Sequence, residues 1–257
     1  MKIFVCIKQV PDTETKIKIA ADGVSIDSSS VKWIMNPYDE YAVEEAVKIR
    51  ESNPGAQVFV VTVGPKKRAG EVLRTALAMG ADEGILIDSP DNLEPSVAAQ
   101  ALASAIKAEG GANLILTGKL AIDDNASSVG QILAEALNIP HASVVSKIQF
   151  STENITVERD AEGGAKEVSQ MTCPALVAAN KGLNMPRYAS LPGIMKAKKK
   201  VLKELDLAGL GVSAVGKTKI LSLELPAEKP PAKLLQGDSS VQSADLVKLL
   251  RDEAKVL

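Results

Sequence analysis

The sequence predicts an α/β fold: a mostly parallel, doubly wound, Rossmann-like sheet with helices on both faces. Three observations carry this expectation. Short β-branched runs alternate with stretches of helical periodicity, the pattern of strand–helix–strand crossovers. The runs are apolar throughout, as strands covered on both faces must be. The chain has 257 residues, 46% of them hydrophobic, enough to bury such a sheet. Added hairpins and an extended C-terminal arm complete the expected architecture.

The elements follow in order. Ile3 to Ile7 is the opening strand. Thr15–Ile19 and Val24–Ile26 flank Ala20-Ala21-Asp22-Gly23 and read as a hairpin interrupting the first crossover. Tyr41 to Arg50 is a helix with Ala42, Val43, Ala46, Val47 and Ile49 on one side, and Glu44, Glu45 and Lys48 outside. Val58 to Val63, stopped by Gly64-Pro65, is the second strand. Lys66 to Met79 is a helix carrying Val72, Leu73, Ala76 and Leu77 inward, and Gly80 ends it. Gly84 to Ile87 is the third strand. Pro95 opens a helix that runs to about Ala108. Leu114 to Thr117, closed by Gly118, is the fourth strand, and residues 126 to 137 form the next helix. Val144–Phe150 and Ile155–Arg159 make a second hairpin, and Gly163-Gly164 turns the chain into Lys166–Met171 and Ala175–Ala179.

With three Phe, three Tyr and one Trp, the core must be built from Val, Ile, Leu and Ala. Ile220–Leu225 reads as one more strand, and Pro226 to Pro231 as a stiff linker. Ser243 is a plausible N-cap for a final helix whose Leu246, Val247, Leu249 and Leu250 form an apolar stripe. That stripe either folds back or docks on another chain. The expected division is an α/β nucleotide-binding domain over 1–225, including a loop at 183–200, and an arm over 226–257.

Composition excludes several functions. Thirty basic residues stand against 32 acidic, a net charge of −2, which argues against a nucleic-acid binder. No uncharged run approaches the roughly 18 residues of a membrane helix. The chain starts Met1-Lys2-Ile3-Phe4-Val5 without a signal-peptide layout, so a cytoplasmic address is expected. A single histidine, His141, with Cys6 and Cys173 far apart, leaves no zinc-ligand set and no nucleophile–His pair. His141 reads as an ordinary loop histidine. Two free cysteines fit a reducing compartment.

In an open α/β sheet, ligands bind beyond the carboxyl ends of the strands where strand order reverses. With order 3-2-1-4, that crevice lies between Cys6-Ile7-Lys8-Gln9 and the segment Thr117 to Gly130. Backbone N–H groups from Ala126 to Val129, at a helix start, would favour an anion such as phosphate. Ser127 and Ser128 add hydroxyls, Lys119 adds charge, and a carboxylate at Asp123 or Asp124 suits ribose hydroxyls. The alternative is that Asp123-Asp124-Asn125 merely caps the helix. Neither a P-loop nor GxGxxG is present. A second candidate is Leu183 to Lys200, where prolines at 186 and 192 make a loop and a basic helix follows. It is either a solvated charged face with Leu191 and Ile194 tucked inward, or an exposed apolar anchor beside cations. The flanking prolines are expected to keep Leu191 out of regular helix.

Taken together, several segments resemble the β-subunit family of the electron transfer flavoproteins. They are Val5-Cys6-Ile7-Lys8-Gln9-Val10-Pro11-Asp12, Met35-Asn36-Pro37-Tyr38-Asp39-Glu40 through Ala46, Arg74 to Asp82, Gly118-Lys119 with Ala121-Ile122-Asp123, and Pro186-Arg187-Tyr188-Ala189 through Lys200. They match in order and spacing over nearly the whole chain. The resemblance implies a heterodimer whose α subunit carries the redox FAD, while this chain holds AMP structurally and performs no bond chemistry of its own. By matching position, the AMP pocket comprises Cys6, Asn36, Pro37, Tyr38, Asp39, Val63, Gly118, Lys119, Ala121, Ile122, Asp123, Asp124, Asn125, Ala126, Ser127, Ser128 and Val129. The family's recognition loop falls on Leu183 to Lys200, with its anchor leucine at Leu191, accompanied by Pro192, Ile194, Met195, Lys196 and Lys199.

The implied partners are the α subunit, wrapped by the C-terminal arm, acyl-CoA dehydrogenases and related flavin dehydrogenases as donors, and a membrane quinone oxidoreductase as acceptor. Leu120 departs from the family's common Gln, and Ala126-Ser127-Ser128 replaces a more polar stretch. Asp124 stands where electron-bifurcating relatives typically have Gly, so the resemblance implies AMP rather than a second FAD. Two rivals stay in view. An adenylating ligase would need a Ser-Gly-Gly-x-Asp-Ser loop, which is absent. A stand-alone nucleotide sensor leaves the basic loop and the final helix without a role.

Overall fold

Strand β1 (Lys2–Cys6) is apolar at Ile3, Phe4, Val5 and Cys6, all buried. The chain then makes a small antiparallel pair, β2 (Gln9–Pro11) with β3 (Trp33–Met35). Next come α1 (Pro37–Ser52), β4 (Gln57–Gly64), α2 (Lys66–Met79), β5 (Glu83–Asp88), α3 (Pro95–Ala108) and β6 (Leu114–Gly118). After α4 (Val129–Leu137) the chain adds β7 (His141–Phe150), β8 (Asn154–Asp160), β9 (Lys166–Thr172) and β10 (Ala175–Ala179). Helix α5 (Leu191–Lys199), strand β11 (Lys203–Asp206) and helix α6 (Ser239–Asp252) follow. The computed structural model describes residues 1–229 and 231–257. They fall into two units, Met1–Leu223 and Glu224–Leu257.

The main sheet has nine strands in the order β11-β5-β4-β1-β6-β10-β7-β8-β9. From β11 to β7 every pair is parallel, and β7, β8 and β9 pair antiparallel. The expected 3-2-1-4 order is present as β5-β4-β1-β6, so strand order reverses between β1 and β6. Alternate side chains serve two cores. Ile3, Val5, Val58, Val60, Leu114 and Leu116 face α1 and α2. Phe4, Cys6, Phe59, Val61 and Ile115 face α3 and α4, with the Phe4 and Phe59 rings stacked at 5.0 Å between centroids. The alanines of α3 lie against the sheet and let it approach closely.

Several expectations need correction. The hairpin expected at 15–26 reduces to one bridge, Ile19 with Ile26. There the Asp22 carboxylate accepts the Val24 and Ser25 N–H groups and the Ser25 hydroxyl, closing a tight turn instead of a ladder. The helix expected from 126 begins at Val129, because Asn125 and Ser127 take left-handed backbone, φ 51° and 48°. His141 is not in a loop; it is the exposed first residue of β7. Residues 220–225 form no strand, and the Leu223 N–H is held by the Gly23 carbonyl at 2.8 Å. Of the expected linker, Pro230 lies outside the described residues. Helix α6 is capped by Asp238, not Ser243, since that carboxylate accepts the Ser240 and Val241 N–H groups.

Glu44 and Glu45 are buried rather than outside, under the segment that precedes α5. Leu191 is the first residue of α5, with Ser190 as N-cap, because Pro192 falls in the first turn, where no N–H is needed.

Candidate functional site

At the carboxyl ends of β1 and β6 the chain brings together residues from three distant segments. Asn36 and Asp39 come from the start of α1. Asn36 occupies the cap position but makes no cap bond with its side chain. Its amide donates to Asp39 Oδ1 at 2.9 Å and to the Leu120 carbonyl at 2.8 Å, and its Oδ1 accepts the Ile122 N–H at 3.2 Å. Asp39 also accepts the Lys8 N–H at 2.7 Å and the Gly118 N–H at 3.0 Å. It is 4% exposed. Burial pushes its carboxyl up to about 7, against the pull of the Asn36 amide, the two backbone donors and the Lys8 charge.

Gly118 is fixed by close approach. A Cβ there would stand 2.3 Å from Asp39 Oδ1 and 2.7 Å from the Tyr38 Cβ. Lys119 follows, its ammonium 4.8 Å from the centre of the Tyr38 ring. The Lys8 ammonium spans the opening to Asp123 at 2.8 Å and Asp124 at 3.0 Å. Burial opposes the Lys8 charge, but the two carboxylates outweigh it and raise the lysine above its ordinary pKa. Asp123 and Asp124 therefore do not cap α4. Asp124 instead accepts the Ala126 N–H at 2.9 Å, and the Ser127 hydroxyl donates to the Lys119 carbonyl at 3.0 Å. Those two groups are occupied, which narrows the expected row of donors from Ala126 to Val129.

What stays open lies at the helix itself. Ser128 supplies no side-chain cap bond, and the first N–H groups of α4, from Val129 on, have no partner within the helix. Thr117 pairs with Cys6 across the β1–β6 ladder. Its hydroxyl is buried with no hydrogen-bond partner among the described residues. It lies against Gly130, in the first turn of α4, 3.2 Å from where a Cβ on that glycine would stand. Val63, at the end of β4, packs against the same core face as Cys6. The Cys6 thiol is pushed well above its ordinary pKa by burial and then by the Asp39 charge, so it is a packing surface rather than a nucleophile.

An orphaned hydroxyl beside uncapped helix N–H groups suits an anion such as a phosphate at α4. Pro37, Ala121, Ile122 and Asn125 belong to the same two segments that frame the crevice. Lys8 and Thr117, expected in the segments that flank the crevice but not in the pocket the resemblance implies, gain specific places here. Their signal was position, since each sits at the carboxyl end of a strand flanking the reversal.

Leu191, Pro192, Ile194, Met195, Lys196 and Lys199 are not in the crevice. They belong to α5, which packs on α2 so tightly that a Cβ on Gly193 would come 2.5 Å from the Ala78 carbonyl oxygen. Behind α5, Arg74 donates to the Ala197 and Lys200 carbonyls, and the Lys200 ammonium donates to the Ala81 carbonyl at 2.9 Å. Ahead of it, Arg187 grips Glu44 at 2.8 and 3.0 Å and Glu51 at 2.7 Å, while Asn184 donates to Glu45 at 2.9 Å. These partners raise Arg187 above its ordinary pKa, with Glu51 and Glu44 the largest influences. On this frame Leu191 is 73% exposed and Tyr188 99%. The reading with Leu191 tucked inward is thereby excluded.

Among the described residues no helix is long and apolar enough to cross a membrane, and no cluster of His, Cys, Asp and Glu could hold a metal ion. The profile of the Electron transfer flavoprotein domain matches residues 24–210. The chain is 44% identical to the electron transfer flavoprotein subunit beta of Bacillus subtilis (strain 168), over the full length of both. It is 39% identical to the protein of that name from Bradyrhizobium diazoefficiens, again over both full lengths. With the Homo sapiens electron transfer flavoprotein subunit beta it shares 36% identity, over all of this chain and 99% of the human one.

Proposed function

The chain belongs to the electron transfer flavoprotein family, and from that premise we propose that it is the AMP-holding β subunit of an electron-carrying heterodimer. In this reading it makes and breaks no bonds. The α subunit carries the FAD that accepts and gives up electrons, and this chain positions it and selects partners. AMP lies in the crevice between β1 and β6. The residues that would hold it are Thr117, Gly118 and the first turn of α4. The observation that carries the assignment is the orphaned Thr117 hydroxyl beside uncapped α4 N–H groups. Asp124, held by Lys8, has a side chain at the position where the resemblance gives Gly in bifurcating relatives, which supports AMP over FAD.

The α5 face would dock acyl-CoA dehydrogenases and related flavin dehydrogenases, with Leu191 as the anchor. Electrons would then pass to a membrane quinone oxidoreductase. The arm from 226 would bind the α subunit through Leu246, Val247, Leu249 and Leu250, and the complex would work in the cytoplasm.

The test is to co-express both subunits, purify the heterodimer, and identify the small molecules released on denaturation. One FAD and one AMP per heterodimer is the expected result. Two FAD would overturn the AMP assignment in favour of a bifurcating carrier. FAD with no adenine nucleotide would remove the crevice from the reading altogether.

A further inference from the structure

One wall of the crevice has its polar side chains fully engaged within the protein. Asn36 uses both ends of its amide, and it is 1% exposed. Asp39 receives three N–H donors from three places: Lys8 after β1, Gly118 at the end of β6, and Asn36 before α1. Neither side chain faces the opening with a free group. A side chain on Gly118 would collide with this arrangement.

We infer that Asn36 and Asp39 are positioning residues rather than ligand contacts: they tie the ends of β1 and β6 and the Leu120–Ile122 turn into one wall, and that tie sets the shape a nucleotide meets. The inference rests on the nucleotide reading above and assigns within it a role that sequence position alone did not separate from ligand contact.

The tie needs Asp39 as an acceptor. An ionised carboxylate accepts through both oxygens, whereas a protonated one presents an O–H among three converging donors. Burial places this carboxyl at about 7. The titratable groups around it are the Cys6 thiol and the Lys8 ammonium after β1, Lys119 after β6, Asp123 and Asp124 in the loop, and Tyr38 and Glu40 on α1; no histidine is among them. If nucleotide binding requires the ionised tie, apparent affinity scales with the ionised fraction. Between pH 6 and pH 8, across a midpoint near 7, that fraction rises about tenfold.

The experiment uses the heterodimer, dialysed free of nucleotide and titrated with AMP by calorimetry at pH 6, 7 and 8. Wild type is compared with Asp39→Asn. The second ionisation of AMP phosphate, near pH 6, acts on both proteins alike and cancels in their ratio. The expected result is that wild type gains about tenfold over Asp39→Asn between pH 6 and pH 8, and that the Lys8 and Gly118 amides exchange faster in the variant. An unchanged affinity ratio across this range overturns the proposal. If wild type binds no AMP at any pH, the nucleotide reading fails, and amide exchange then judges the tie alone: equal rates at Lys8 and Gly118 in both proteins overturn it. Should Asp39→Asn not assemble, Asn36→Ala leaves the two backbone donors on Asp39 in place. It should bind AMP several-fold more weakly, with the pH midpoint moved upward because the Asn36 amide no longer favours the ionised carboxylate, and wild-type affinity or an unmoved midpoint in that variant overturns the proposal.

Discussion

The crevice and the α5 face are both held by polar ties, yet they point them in opposite directions. In the crevice, Asn36, Asp39 and Gly118 form part of the inner wall, so the ties and the surface a ligand meets are adjacent. At α5 the ties lie behind the helix, through Arg74, Lys200 and Arg187, and the surface in front carries Leu191, Met195 and lysines without those ties. The difference teaches that substitutions should separate cleanly. Changes in the crevice disturb folding and recognition together, whereas changes on the front of α5 disturb recognition alone.

The strongest way to break this contrast is to cut the α5 frame from behind. Arg187→Ala leaves the buried Glu44 carboxylate unpaired. It should cost about 2–3 kcal/mol, below the roughly 3–5 kcal/mol of a fully buried pair because the guanidinium is partly solvated. Denaturant unfolding of the variant measures this. A loss below about 1 kcal/mol would mean that Glu44 finds other partners and that the loop is not anchored as described.

Next in size is the inner wall. Gly118→Ala forces Tyr38 and Asp39 apart and should cost about 1–3 kcal/mol, as overpacking does. The same sample, purified with its α subunit, should lose bound AMP. Full stability with stoichiometric AMP would show that the wall yields freely and would blur the comparison.

The smallest effect on folding is expected at the front of α5. Leu191→Ala should change stability by less than about 0.5 kcal/mol, since the side chain is largely in water. In the proposed docking role it should still weaken association with a reduced acyl-CoA dehydrogenase by about 1–3 kcal/mol. Thermal melts and flavin-reduction kinetics on one preparation read both quantities. A large fall in melting temperature with normal electron transfer would reverse the assignment of front and back.

Much of this was legible before the structure. Helices α2 and α3 begin and end where Gly80 and Pro95 signal, because capping and proline effects act within one turn. The strands around β1 followed from continuous apolar runs, and their order matches the one supposed from the general doubly wound pattern. What escaped were features created by partners far along the chain. Glu44 and Glu45 fit an outer helical face until Arg187 and Asn184 cover them. Lys8 gives no local hint that it will meet Asp123 and Asp124. The late start of α4 depends on left-handed backbone at Ser127, a conformation that serine rarely takes and no pattern announces. The β2–β3 pair has three residues in each strand, too short for any periodicity.

The contact at Gly118 also bears on how such chains can diverge. The space that a side chain at 118 would need is already filled by Asp39 and Tyr38. The two segments therefore cannot drift independently. A lineage that acquires bulk at position 118 must displace Asp39 or move the backbone at 38, and losing Asp39 also removes the acceptor for the Lys8 and Gly118 amides. Bulk at position 118 thus marks a chain in which this corner has been rebuilt, whereas a replacement at 38 that keeps a Cβ leaves the contact as it is.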